Sequence, residues 1–196
     1  MTGRIVRCGV SALAFAALAG FAQAHEFTAA IMIVGEDRET VLADAVRGFL
    51  MAADESDGHP DETSDGHLGG IDVQILPLPS DAASAVEGLR GSPKLPPEVV
   101  VVLGPPTEAA PVLAAVSRQS IYLGAGSLPP GWAEAAQPSG FAARYRQNYG
   151  HAPSRAAAEG YNAARRLDLA IRPQDGLTPR AALKAALAAS EAGIDW

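Results

Sequence analysis

Metal chemistry needs several hard or nitrogen donors in one short reach, and the stretch "ESDGHPDETSDGHLGG" (Glu55 to Gly70) supplies them. It writes Ser-Asp-Gly-His twice, at Ser56 to His59 and Ser64 to His67, and holds two of the four histidines of the 196-residue chain. Between Arg47 and Arg90 there is no Lys or Arg, while Asp54, Glu55, Asp57, Asp61, Glu62, Asp65 and Asp72 all fall in that interval. Uncompensated carboxylates repel one another unless water, salt or a cation screens them. One reading is a calcium-type or lanthanide-type loop. Asp61, Thr63 and Asp65 would stand at positions 1, 3 and 5, Gly66 at 6, His67 contributing its carbonyl at 7, and Asp72 at 12. A second reading takes His59 and His67 with a carboxylate such as Asp57 or Asp65, which suits zinc, nickel or copper because these accept imidazole. A third is a solvated acidic loop whose repeats record the Asp-Gly turn preference. The sequence leaves all three open, so a divalent or trivalent metal ion is a possible cofactor.

Elsewhere the sequence is sparing with chemistry. No Ser/His/Asp constellation, phosphate loop, dinucleotide fingerprint or carboxylate pair is visible, and the chain is not expected to be an enzyme. Residues 1–24 carry Arg4 and Arg7, the apolar run "VSALAFAALAGFA" and a small-x-small "AQA", the layout of a cleavable export signal cut before His25. The only cysteine, Cys8, lies in that segment, so residues 25–196 have no thiolate to offer a metal. Without Arg4 and Arg7, 13 basic residues face 22 acidic ones, a net charge of −9. That balance disfavours nucleic acid and anionic lipid as partners. No later apolar run is long enough to insert in a membrane, and the expected location is the periplasm.

The elements that must position any site alternate. "FTAAIMIVG" reads as a strand, and "ETVLADAVRGFLMAADE" as a helix with Val41, Leu42, Ala45, Val46, Phe49, Leu50 and Ala53 at helical spacing. "IDVQILPL" reads as a second strand, Asp81 to Leu89 as a helix, and "EVVVVLG", apolar on both faces, as a central strand. A helix begins near Thr107, for which the N-cap position is one option, and "SIYLGAGS" is a fourth strand entering a glycine turn. From Gln137 onward the chain is helical, with Ser154 and Thr178 as N-caps, Tyr145, Tyr149, Tyr161 and Leu167 facing the core, and the arginines in solvent. Strands and helices alternating at these lengths predict an α/β fold, an open and mostly parallel Rossmann-like sheet with helices on both faces.

The segment "FAARYRQNYGHAPSRAAAEGYNAARRLDLAIR" resembles the Phe-x3-Tyr-x3-Tyr-Gly-x2-Pro pattern and the following Tyr-(Asp/Asn)-Ala helix of type I periplasmic binding proteins, the Leu/Ile/Val group of ABC importers. "VRGFLMAADE", "LGGIDVQILPLPSD" and "VVVVLGPPTEAAPVLAAVS" follow the order of that family's first lobe. The resemblance implies a substrate-binding module working with a small-molecule ligand and an ABC permease or another periplasmic partner protein. Family members have two lobes, the second inserted in the first. Here "YLGAGSLPPGW" leads almost directly to the returning helices, so residues 25–196 are expected to form a single lobe with an enlarged acidic loop at 54–70. The family holds its ligand carboxylate on hydroxyls and amides after the third and fourth strands. The matching positions are Thr107 and the Ala125, Gly126, Ser127 turn, with Glu108 standing where a small hydroxyl residue is common. Glu108 would repel a carboxylate, and the lobe is expected to be a degenerate amino acid binder.

Overall fold

A computed structural model describes residues 26–35, 38–56, 64–79, 95–114, 117–174 and 176–196. The predicted export signal, the predicted Asp81 to Leu89 helix, and His59, Asp61 and Thr63 of the acidic loop lie outside the described residues. Five strands, β1 (Glu26–Ile33), β2 (His67–Leu68), β3 (Ile71–Leu78), β4 (Val99–Leu103) and β5 (Ile121–Leu123), form one sheet in the order β2-β3-β1-β4-β5. Around it stand α1 (Arg38–Glu55), α2 (Pro106–Leu113), α3 (Phe141–Tyr149), α4 (Arg155–Ile171) and α5 (Arg180–Ala189). The chain is thus an α/β protein whose sheet is parallel except at one edge.

Strand periodicity divides the core in two. Phe27, Ala29, Ile31 and Ile33 of β1 face a large cluster built with α1, α3, α4 and α5, while Ala30, Met32 and Val34 face a smaller one that includes Ala109 of α2. All five residues of β4 are buried, as its unbroken valine run predicts for an interior strand. The antiparallel edge strand β2 is the element that sequence patterning did not anticipate. It exists because Gly69 and Gly70 both take positive φ, 63° and 88°, the requirement of a two-residue type I′ hairpin that returns the chain onto β3. The buried Asp168 of α4 fixes this hairpin by accepting the Gly69 N–H at 2.8 Å, with Arg172 balancing its charge from one turn on.

Helices α1 and α4 meet through their smallest residues. A side chain on Gly48 would run into the Ala157 carbonyl, and one on Gly160 into the Ala45 carbonyl, so each helix receives the other's backbone. The buried stripe of α1 therefore runs through Ala45, Gly48, Phe49 and Ala52, with Val41, Leu42 and Val46 only flanking it. Glu55, Arg144 and Tyr161 then tie α1, α3 and α4 together. Arg144 donates to Glu55 and to the Tyr161 hydroxyl, each at 2.8 Å, and Tyr161 donates to Glu55 at 2.6 Å.

Two outcomes follow from this packing. Gly160→Ala gains about 1 kcal/mol of helix propensity yet is expected to lower the unfolding free energy by about 2 kcal/mol net, because the helices must separate; urea melts measure it. Burial, then the bond to Glu55, pushes the Tyr161 hydroxyl up to about 12, and burial and the Asp44 charge push Tyr145 up to about 12. Both folded values exceed the unfolded one, so their contribution is intact below about pH 10 and is lost as pH rises toward 12. Ultraviolet titration is expected to find these two tyrosines ionising late, together with loss of the folded circular dichroism signal.

Candidate functional site

The order β3-β1-β4 means that the chain leaves β1 toward one side for β3 and later returns on the other side for β4. Crevices form at such a reversal, outside the carboxyl ends of the strands. A cleft of about 1150 Å³ lies there, bounded by Ile33 and Val34 at the end of β1, Leu103 and Gly104 at the end of β4, and the 124–128 turn after β5. The first turns of α1, α2 and α4 close its sides.

The turn is held from behind by two buried polar residues of α4. Asn162 donates its amide to the Ala125 carbonyl at 2.8 Å and to the Ser127 carbonyl at 3.2 Å, and accepts the indole N–H of Trp196 at 2.7 Å. One turn on, Arg166 donates to the Gly124 carbonyl at 2.6 Å. Gly126 has φ 75°, and a β-carbon there would stand 2.8 Å from the guanidinium, so the turn lies directly on Arg166 and tolerates only glycine. Arg166 corrects the expectation of solvated arginines: it is 2% exposed, and burial lowers its pKa against the opposing pull of Glu191. Arginine in an Ala-rich helix reads as surface, and the carbonyls that receive it lie 21 and 42 residues away in sequence.

The α2 end at the cleft does not present an open anion site. The N-cap of α2 is Pro105 and its first residue Pro106, so two of its leading positions have no N–H, and the Glu108 N–H bonds the Pro105 carbonyl. Thr107 is thus the second residue of α2 rather than its cap, and it is exposed. On α4 the expected cap holds: Ser154 accepts the Ala157 N–H at 3.2 Å. The cap of α5 is Pro179, one residue beyond the expected Thr178, and it makes no side-chain bond. Among the charged lining residues, Asp44 is paired with Arg47 at 2.9 Å and Glu159 with Arg155 at 2.8 Å, while Glu108 and Glu191 add negative charge with no bonded cation among the described residues.

Of the expected ligand residues, Ala125, Gly126 and Ser127 line the cleft, and Glu108 lines it in place of Thr107. The described part of the acidic loop is elsewhere. Asp72 is level with Glu26 at the amino end of β1, seven residues or about 23 Å along the strand from Ile33. Asp65 accepts the Ile75 N–H at 2.7 Å, and His67 meets Asp72 across the hairpin at 2.7 Å. Asp65 and Gly66 both bond to Val73, two residues against one, which is the geometry of a β-bulge. Among the described residues no three His, Cys, Asp or Glu side chains converge on a point that could hold a metal ion, and no helix is long and apolar enough to cross a membrane.

No family model, curated protein or solved structure matches this chain. Asn162→Leu, similar in volume, leaves the two turn carbonyls and the indole N–H without partners. It is expected to destabilise the fold by about 2–3 kcal/mol and to shift the Trp196 fluorescence, read in a denaturant titration with Trp132→Phe as background.

Proposed function

We propose that this chain is an exported binding module related to the substrate-binding proteins of ABC importers, reduced to one Rossmann-like lobe and working in the periplasm with a permease or another exported protein. The observation that carries this reading is the cleft at the carboxyl ends of β1, β4 and β5, with the 125–127 turn braced against it by Asn162 and Arg166. Concave sites at a reversal of strand order are where α/β sheets take small ligands. The cleft's lining favours a neutral or cationic solute over a free carboxylate, because Glu108 stands at the α2 terminus and the prolines remove its donors.

Free leucine, isoleucine and valine are accordingly expected to bind no more tightly than about millimolar, since one wall encloses too little of so small a ligand. Calorimetry returning a micromolar dissociation constant for any of them would refute the one-lobe reading. The site itself is tested by a thermal-shift screen of small solutes, with Ser127→Trp, an exposed cleft position, expected to abolish any hit without lowering the melting temperature of the unliganded protein. Fractionation of a producing cell is expected to recover a chain that begins at His25 in the periplasmic fraction.

A further inference from the structure

Behind the cleft, a second and smaller cavity of about 330 Å³ runs between the edge strand β5 and helix α5. Its strand side carries Ile121 and Leu123, its helix side Lys184 and Leu187, and Arg166 lies at its base. One end is closed by the 117–120 loop, which Arg180 of α5 fastens by donating to the Gln119 carbonyl at 2.8 Å. The loop is internally set as well, with Ser117 Oγ accepting the Ser120 N–H at 2.7 Å.

The state of Arg166 is what makes this cavity more than a packing gap. Among the described residues its three bonded acceptors are the Gly124 and Leu187 carbonyls, both at 2.6 Å, and Ser190 Oγ at 3.1 Å, all uncharged. A guanidinium has five N–H groups, so two remain after these. A buried cation is stable when an anion balances it, and neutral dipoles do this only in part. Glu191 lies close enough to act on Arg166 through space, yet no bond joins them among the described residues, and Glu191 itself is exposed. Lys184 adds a second positive charge at the mouth, so the cavity carries two cations against the one carboxylate of Glu191.

We propose that the cavity between β5 and α5 is a binding site for a small monocarboxylate with a short aliphatic tail. The carboxylate would sit between Arg166 and Lys184, where charge-assisted bonds are strongest, and the tail among Ile121, Leu123 and Leu187. A compact inorganic anion would satisfy the charges but make no contact with the apolar side chains that line the rest of the cavity. The assignment does not depend on what the cleft binds.

The test uses the full exported chain and three sodium salts at matched ionic strength: butyrate, phosphate and chloride. Butyrate is expected to raise the melting temperature in a saturable way and to give a calorimetric isotherm, with phosphate and chloride well behind it. Lys184→Ala, at an exposed position, is expected to weaken butyrate binding about tenfold, while Arg146→Ala, which removes an equal charge from the exposed face of α3, leaves it unchanged. Arg166 variants are unsuitable because they also release the 124–127 turn. Phosphate binding as tightly as butyrate would overturn the aliphatic assignment. Absence of a butyrate shift, or a shift that survives Lys184→Glu, would overturn the site.

Discussion

The contact on which the rest of the structure depends is the approach of α1 and α4 through Gly48 and Gly160. Helices that touch backbone to backbone lie closer together than helices separated by leucine-sized side chains. That closeness brings α4, which follows the sheet late in the chain, onto the same face as α1, with α1 over β1 and β3 and α4 reaching β4 and β2. The alanines around the contact, Ala45 and Ala52 on one side and Ala156, Ala157 and Ala164 on the other, are buried for the same reason: a larger residue at any of them would wedge the pair apart. Glu55, Arg144 and Tyr161 then fix the rotation of α3 against this pair.

With α4 placed, its inner face becomes the frame of the cleft. Asn162 and Arg166 stand one helical turn apart, and between them they engage the carbonyls of Gly124, Ala125 and Ser127. Asp168, farther along, reaches the opposite edge of the sheet and holds the Gly69 turn. One helix thus sets both the turn that floors the cleft and the hairpin that ends the sheet. Each link is a polar side chain donating to or accepting from loop backbone, which satisfies buried groups where no strand or helix partner exists. The C-terminal residues join the arrangement: the Glu191 carbonyl accepts the Ser127 N–H, and Trp196 packs on Phe141 and Tyr161 while bonding Asn162.

Electrostatics divide the two concave regions. The cleft is rimmed by carboxylates and its proline-started helix withholds the donors that an anion would need, whereas the cavity behind β5 has Arg166 and Lys184. Arg166 belongs to both, because the same guanidinium that braces the cleft turn lies at the base of the cavity. Its bond to the Gly124 carbonyl is the direct link between the two.

Sequence by itself determined the elements whose signals are local. The valine run marked an interior strand, the short apolar run of β1 and the alternation of β3 marked strands, Ser154 marked the start of α4, and Tyr145, Tyr161 and Leu167 marked core-facing positions. The turn at Ala125 to Ser127 was also legible, through its glycine and its place after a strand, and the Asp81 to Leu89 helix and the Asp61 side of the acidic loop lie outside the described residues. What only the tertiary structure decided were the features whose partners are distant in the chain. The role of Gly48 and Gly160 depends on the facing carbonyl of another helix, and Asn162, together with Arg166 that was expected in solvent, acts on a turn brought across from more than thirty residues away. Pattern and propensity register what a residue does to its own segment, and these four residues act on another segment's backbone.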